Sequence, residues 1–153
     1  METIKTQSQV AEIELVYKPK IDVLKARKVS SSNCAYQIFK EVWGEDKIQF
    51  IESFKIILLN RGNRVLGVVE ISNGGTAGTV VDPKLVFAAA LKSNCQSIIL
   101  GHNHPSGNLL PSSQDERLTK RLVEAGKFLD LPVLDHIIVT SEGYFSFADE
   151  GRL

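Results

Sequence analysis

The sequence predicts a mixed α/β domain, a β-sheet with helices on its faces. Three observations lead there. Apolar runs of strand length alternate with amphipathic stretches of helical period. Clusters of Gly, Pro, Asn and Ser fall between them as turn signals. The resulting order, β-α-β-β-α-β-α-β-β, is not a strict βαβ repeat, so the sheet is expected to be mixed. With 153 residues, 43% hydrophobic and 24% charged, the chain has the composition of an ordered domain with one core.

Glu12 to Tyr17 alternates apolar and polar residues and predicts an edge strand, stopped at Lys18-Pro19-Lys20. Ser30 to Asn33 is a run of N-cap residues. Ala35, Ile38, Phe39, Val42 and Trp43 then recur at helical spacing until Gly44. The apolar run from Ile48 to Leu59, with Glu52 and Lys55 inside it, predicts a strand. Asn60-Arg61-Gly62-Asn63 turns the chain, and Val65 to Ile71 returns.

A glycine-rich loop over Asn73–Thr79 lacks the Lys-Ser/Thr of a P-loop, which removes a nucleotide role. Asp82-Pro83 opens a helix to Asn94, with Leu85, Val86, Ala89 and Ala90 on its apolar face. Ser97 to Leu100 is a strand leading into His102 and His104. Ser112 starts a helix whose stripe is Leu118, Leu122, Ala125 and Leu129. Val133–Val139 is a buried strand, and Tyr144–Phe147 closes the sheet.

Lys plus Arg equals Asp plus Glu, 18 of each, which gives no global drive toward nucleic acid or an anionic membrane. Cys34 and Cys95 lie far apart without a C-x-x-C pattern and are expected to be reduced thiols. The N-terminal residues lack an apolar leader, and no run approaches membrane-span length. The expectation is a soluble cytoplasmic protein without a membrane partner.

Two of the three histidines, His102 and His104, sit two residues apart at the end of a strand. Period two sends both rings to one side. With Asp115 they form a ligand set for a metal such as zinc, leaving a fourth position open, as in catalytic sites. Ser112-x-x-Asp115 reads equally as a capping box. A hydrolytic site also needs a proton acceptor that is not a ligand. Glu52, Glu70 and Asp135, embedded in apolar strands, are the candidates; Glu52 and Glu70 both fit, and spacing does not choose between them. His136 is a further possible ligand, with packing or support of the site as its commoner roles. Arg117, Lys120, Arg121 and Lys127, interleaved with Glu116 and Glu124, read as a solvated helical face.

The string His102-x-His104-Pro105, with Ser112 and Asp115 at their spacing, resembles the JAMM (MPN+) metalloprotease motif. It is closer still to the RadC family. That likeness is carried by His102-Asn103-His104-Pro105-Ser106-Gly107, Pro111-Ser112-x-x-Asp115, Leu134-Asp135-His136-Ile137-Ile138 and Ser146-Phe147. The resemblance covers residues 48–153 as a RadC-like JAMM/MPN metallohydrolase domain. Residues 1–47 remain as an N-terminal extension with one predicted helix. It implies a cytidine-deaminase-like fold and Zn²⁺ held by His102, His104, Asp115 and a water. Glu52 becomes general base and then acid, chosen over Glu70, and Ser112 an oxyanion or water partner. The implied activity is hydrolysis of a peptide or isopeptide substrate. The alternatives are a DNA-repair-associated accessory domain without peptidase turnover, and an interaction module whose metal is structural. RadC-like chains often carry a helix-hairpin-helix region, and no such helix pair is legible before residue 48.

Overall fold

The computed structural model describes residues 10, 11, 18, 20, 22–76 and 78–153. The edge strand predicted over 12–17 lies outside them. After a 3-10 turn at Val23–Lys25 come helices α1 (Ser32–Trp43) and α2 (Glu45–Ile48), then strands β1 (Ser53–Leu59) and β2 (Val65–Asn73). Helix α3 (Pro83–Lys92), strand β3 (Ser97–Asn103), helix α4 (Ser113–Phe128) and strands β4 (Val133–Val139) and β5 (Tyr144–Ser146) complete the chain. From 22 onward the predicted order of the longer elements is the observed one.

The sheet runs β2-β1-β3-β4-β5. Its β1/β2, β1/β3 and β4/β5 pairs are antiparallel, and only β3/β4 is parallel. That pair is joined by α4, as a parallel crossover requires. Strand alternation divides the core in two. Ile57, Leu59, Ile99 and Ile137 face α1, with Phe39 and Trp43. Phe54, Ile56, Ile98 and Leu100 face α3 and α4, with Val86 and Leu122. The central strands are buried on both faces, so β1 and β3 read as continuous apolar runs rather than alternating ones.

The helix starts follow their caps. Ser31 accepts from the Cys34 N–H to open α1, and Asp82 accepts from the Lys84 N–H to open α3. Two details depart from the sequence reading. Strand β1 begins at Ser53, not Ile48, because α2 and a turn occupy 45–51 and Asn103 takes the carbonyls of Ile48 and Ile51. Glu52 therefore stands just before the strand. On the helices, Val42, Leu85 and Leu129 are exposed. The buried residues of α3 are Val86, Phe87 and Ala90, and those of α4 are Thr119, Leu122 and Gly126. The α4 stripe is narrower than its leucines suggest, and a threonine sits in it.

Candidate metal centre

Ligands in open α/β sheets collect beyond the carboxyl ends of the strands. Here that end is the exit of β3. His102 lies in the strand on the α4 side. His104 lies one residue beyond it, still paired through its N–H to the Val139 carbonyl at 3.0 Å. Period two holds across the strand end, and the two Nε2 atoms approach to 2.9 Å. The loop then turns at Gly107, whose φ of 81° is open to glycine at little cost. The turn brings the Asn108 carbonyl to 2.6 Å from His104 Nδ1. A carbonyl only accepts, so Nδ1 carries the proton and a neutral ring keeps its Nε2 lone pair for the site.

Asp115 faces both rings. Its Oδ1 is 3.2 Å from His102 Nε2 and its Oδ2 is 3.6 Å from His104 Nε2. One donor atom from each of His102, His104 and Asp115 falls within 4.8 Å of the others, a group able to hold a metal ion. The capping reading holds as well. Ser112 Oγ accepts from the Asp115 N–H at 3.1 Å, and Asp115 Oδ2 accepts from the Ser112 N–H at 2.6 Å. The two roles are compatible because the cap uses Oδ2 and leaves Oδ1, the oxygen nearest His102, uncommitted. Burial opposes the charged form of Asp115, but the His102 and His104 rings that face it outweigh burial and hold the carboxyl well below its usual range. Burial also opposes the charged form of His104, yet Asp115 and the Asn108 carbonyl raise its pKa above the ordinary histidine value. Two imidazoles and an ionised carboxylate suit zinc chemically.

Glu52, His104, Ser112 and Asp115 line one cleft of about 460 Å³, with Thr79–Val81 on one wall and Leu118 and Arg121 of α4 on the other. The backbone of Glu52 is fixed on the glycine-rich loop. Its N–H donates to the Gly75 carbonyl at 3.3 Å, and its carbonyl accepts from the Gly74 N–H at 2.8 Å. The other acidic candidates are committed elsewhere. Glu70 pairs with the buried ammonium of Lys55. Asp135 accepts from Ser146 Oγ at 2.6 Å and from the Ala148 N–H at 3.0 Å, tying the C-terminal turn to β4. Burial raises the Asp135 pKa despite those bonds.

A model of the RadC-like JAB domain family matches residues 29–152. The chain belongs to that family. Its RadC-like JAB domain takes in α1 as well as the sheet and the cleft. Curated relatives include a UPF0758 protein of Flavobacterium johnsoniae, 43% identical over 148 residues, 96% of this chain and 63% of that protein. A UPF0758 protein of Symbiobacterium thermophilum is 44% identical over 103 residues, 67% of this chain and 44% of that protein. One of Alkaliphilus metalliredigens is 46% identical over 102 residues, again 67% and 44%. The chain thus spans about half the length of the curated relatives it matches. No described helix is long and apolar enough to cross a membrane.

Around the candidate ligands stand supporting residues; sequence reasoning weighed His136 among them and passed over Thr119 and Asn103. His136 is fully buried behind His102, its Nε2 at 2.7 Å from His102 Nδ1, and its ring stacks on Phe147. Burial pushes the His136 pKa well below the ordinary value. Thr119 Oγ1 lies 2.6 Å from His136 Nδ1 and donates to the Asp115 carbonyl at 2.6 Å. Asn103, between the two histidines, points to the opposite face of β3. Signals existed for both. Thr119 is four residues after Asp115, hence on the same helical face, and Asn103 is a polar residue within a strand buried on both sides.

Proposed function

We propose that this RadC-like JAB domain is a zinc-dependent metallohydrolase acting on a peptide or isopeptide bond. The observation that carries the reading is that His104 and Asp115, grouped with the buried His102 as a set able to hold a metal, line one cleft with Glu52, a carboxylate outside that set. A zinc ion held there would polarise a substrate carbonyl and make water acidic enough to act as a nucleophile near neutral pH.

The chain's own groups supply the rest. Glu52 accepts the proton of the attacking water and passes it to the leaving amine nitrogen. Ser112 Oγ already accepts from the Asp115 N–H. Its hydroxyl hydrogen is therefore free to donate to the oxygen on which negative charge develops, beside the N-terminus of α4. The His102 and His104 rings are held by bonds through their Nδ1 atoms, which leaves Nε2 of each for the metal.

The test is metal analysis of the purified chain, followed by a screen of peptide and isopeptide substrates. The expected result is about one zinc per chain, since one three-ligand site is present, with loss of zinc in His104→Ala. Glu52→Gln is expected to keep the metal and lose hydrolysis. Equal zinc in wild type and His104→Ala sinks the site, and loss of zinc in Glu52→Gln sinks the role given to Glu52.

A further inference from the structure

His102, His136, Thr119 and Asp115 form one directed chain of hydrogen bonds. Its polarity starts from the acceptor that has no choice. The Asp115 carbonyl can only accept, and Thr119 Oγ1 lies 2.6 Å from it. The single hydroxyl hydrogen of Thr119 is therefore spent there, a bond to the carbonyl four residues back that threonine makes readily in helices. The opposite polarity would set two oxygens facing each other at 2.6 Å with no hydrogen between them. Toward His136, Thr119 must then accept, across 2.6 Å, so His136 Nδ1 carries a hydrogen. A neutral His136 then has a bare Nε2, which accepts from His102 Nδ1 across 2.7 Å. That leaves the lone pair of a neutral His102 on Nε2, the atom nearest His104 and Asp115.

We propose that the Thr119 hydroxyl, acting through His136, fixes the tautomer of His102 and thereby sets how tightly the site holds a divalent metal. Thr119 is a positioning residue in this scheme, not a ligand. The chain of bonds crosses α4, β4 and β3, and both of its ends are residues of the candidate ligand set. Each link is buried: Thr119 and His102 are 2% exposed and His136 is 0% exposed. Bulk water is therefore not available to replace a missing partner. Without the relay, Asp115 Oδ1 at 3.2 Å favours the other tautomer, with the hydrogen on His102 Nε2, where it blocks metal binding.

This inference rests on the reading of His102, His104 and Asp115 as a metal site, and the experiment separates the two. Zinc affinity of the full chain is measured by competition with a chromophoric chelator for wild type, Thr119→Val and Thr119→Ser. Outer partners of metal-bound histidines are worth about 10–100-fold in affinity. Thr119→Val, which has the same shape without the hydroxyl, is expected to lose that much. Thr119→Ser is expected to stay within about threefold of wild type. The second readout is the tautomer of His102 in the metal-free wild type, from long-range ¹H–¹⁵N spectra. A hydrogen on Nδ1 with a bare Nε2 is expected. A hydrogen on Nε2, or equal affinity in Thr119→Val and wild type, overturns the relay. Absence of zinc from the wild type overturns the metal site alone, and the spectra still decide the relay.

Discussion

The side chain of Asn103 clasps the backbone on both sides of Glu52. Its Oδ1 accepts from the Ser53 N–H at 2.8 Å, and its Nδ2 donates to the Ile51 carbonyl at 2.9 Å and the Ile48 carbonyl at 2.8 Å. The amide thus fixes where β1 begins and where the Glu52 carboxylate leaves the backbone. Strand alternation makes this possible. His102 and His104 face α4, and Asn103 between them faces the segment that carries Glu52. Trp43 Nε1 donates to Ser53 Oγ at 2.7 Å, so α1 braces the same junction.

Asn103→Leu removes the clasp and leaves a buried N–H and two carbonyls without their partner. Each buried group left unpaired costs roughly 1–3 kcal/mol, and local rearrangement recovers part of the sum. The expected loss is about 3 kcal/mol in urea unfolding, with zinc retained because no ligand is altered. A loss below about 1 kcal/mol would mean that the 48–53 segment is held by other contacts.

Gly101→Ala should disturb the candidate metal site from the other face of the sheet. A β-carbon on Gly101 would stand 2.5 Å from the ring of Phe39, which is fully buried in the core under α1. The neighbour is a packed ring, so the helix or the strand must shift. Overpacking of this kind costs about 1–3 kcal/mol. The strand that shifts carries His102. Both a lower midpoint of unfolding and weaker zinc binding are expected, and Phe39→Leu in the same chain should restore part of each. A Gly101→Ala chain with unchanged stability would show that Phe39 has room to move.

The long elements were legible because their signals are local. Ser31, Asp82 and Ser112 cap helices, and the apolar runs of β1, β3 and β4 become central strands. The grouping of His102, His104 and Asp115 was legible because its three members fall within fourteen residues of sequence, on a strand end and a helix start. What joins Glu52 to that triad is not local. It depends on β1 pairing antiparallel with β3, where Phe54 lies opposite His102. Spacing alone therefore left Glu52 and Glu70 equivalent, with Asp135 a further candidate. Their separation rests on long-range partners, Lys55 for Glu70 and the turn at Ser146 and Ala148 for Asp135. The relay through Thr119 was hidden for the same reason, since His136 reaches it from a different element.

The two thiols should differ sharply in reactivity. Cys34 lies in the first turn of α1, where a hydrogen bond from Ser31 Oγ at 3.3 Å leads the causes that lower its pKa to about 7. It is half-buried. Cys95 is 3% exposed and burial raises its pKa. Iodoacetamide at about pH 7.5 is expected to modify Cys34 at least about tenfold faster than Cys95, read by peptide mass spectrometry. Ser31→Ala should slow Cys34. Equal rates for the two cysteines in the folded protein would refute this ordering.

In the metal-free protein, His104 and Asp115 should make stability fall as pH rises through the neutral range. His104 has a folded pKa raised above 6.5, so its contribution is complete below 6.5 and is lost as pH rises through the folded value. Asp115 has a folded pKa lowered from 3.8, so its contribution is present above 3.8 and is lost only as pH falls toward the lowered value. The pair therefore contributes most between 3.8 and 6.5. The check compares Tm of chelator-treated wild type with Asp115→Asn, which cannot form the ion pair. The wild-type advantage is expected to shrink by about 3 °C between about pH 6 and about pH 8.5, the shift produced by a loss on the order of 1 kcal/mol in a chain of this size. With zinc bound the sign reverses, because metal and proton compete for His104 Nε2 and the metal prevails as pH rises. A wild-type advantage that grows with pH in the presence of chelator would show that the two residues do not titrate as a pair.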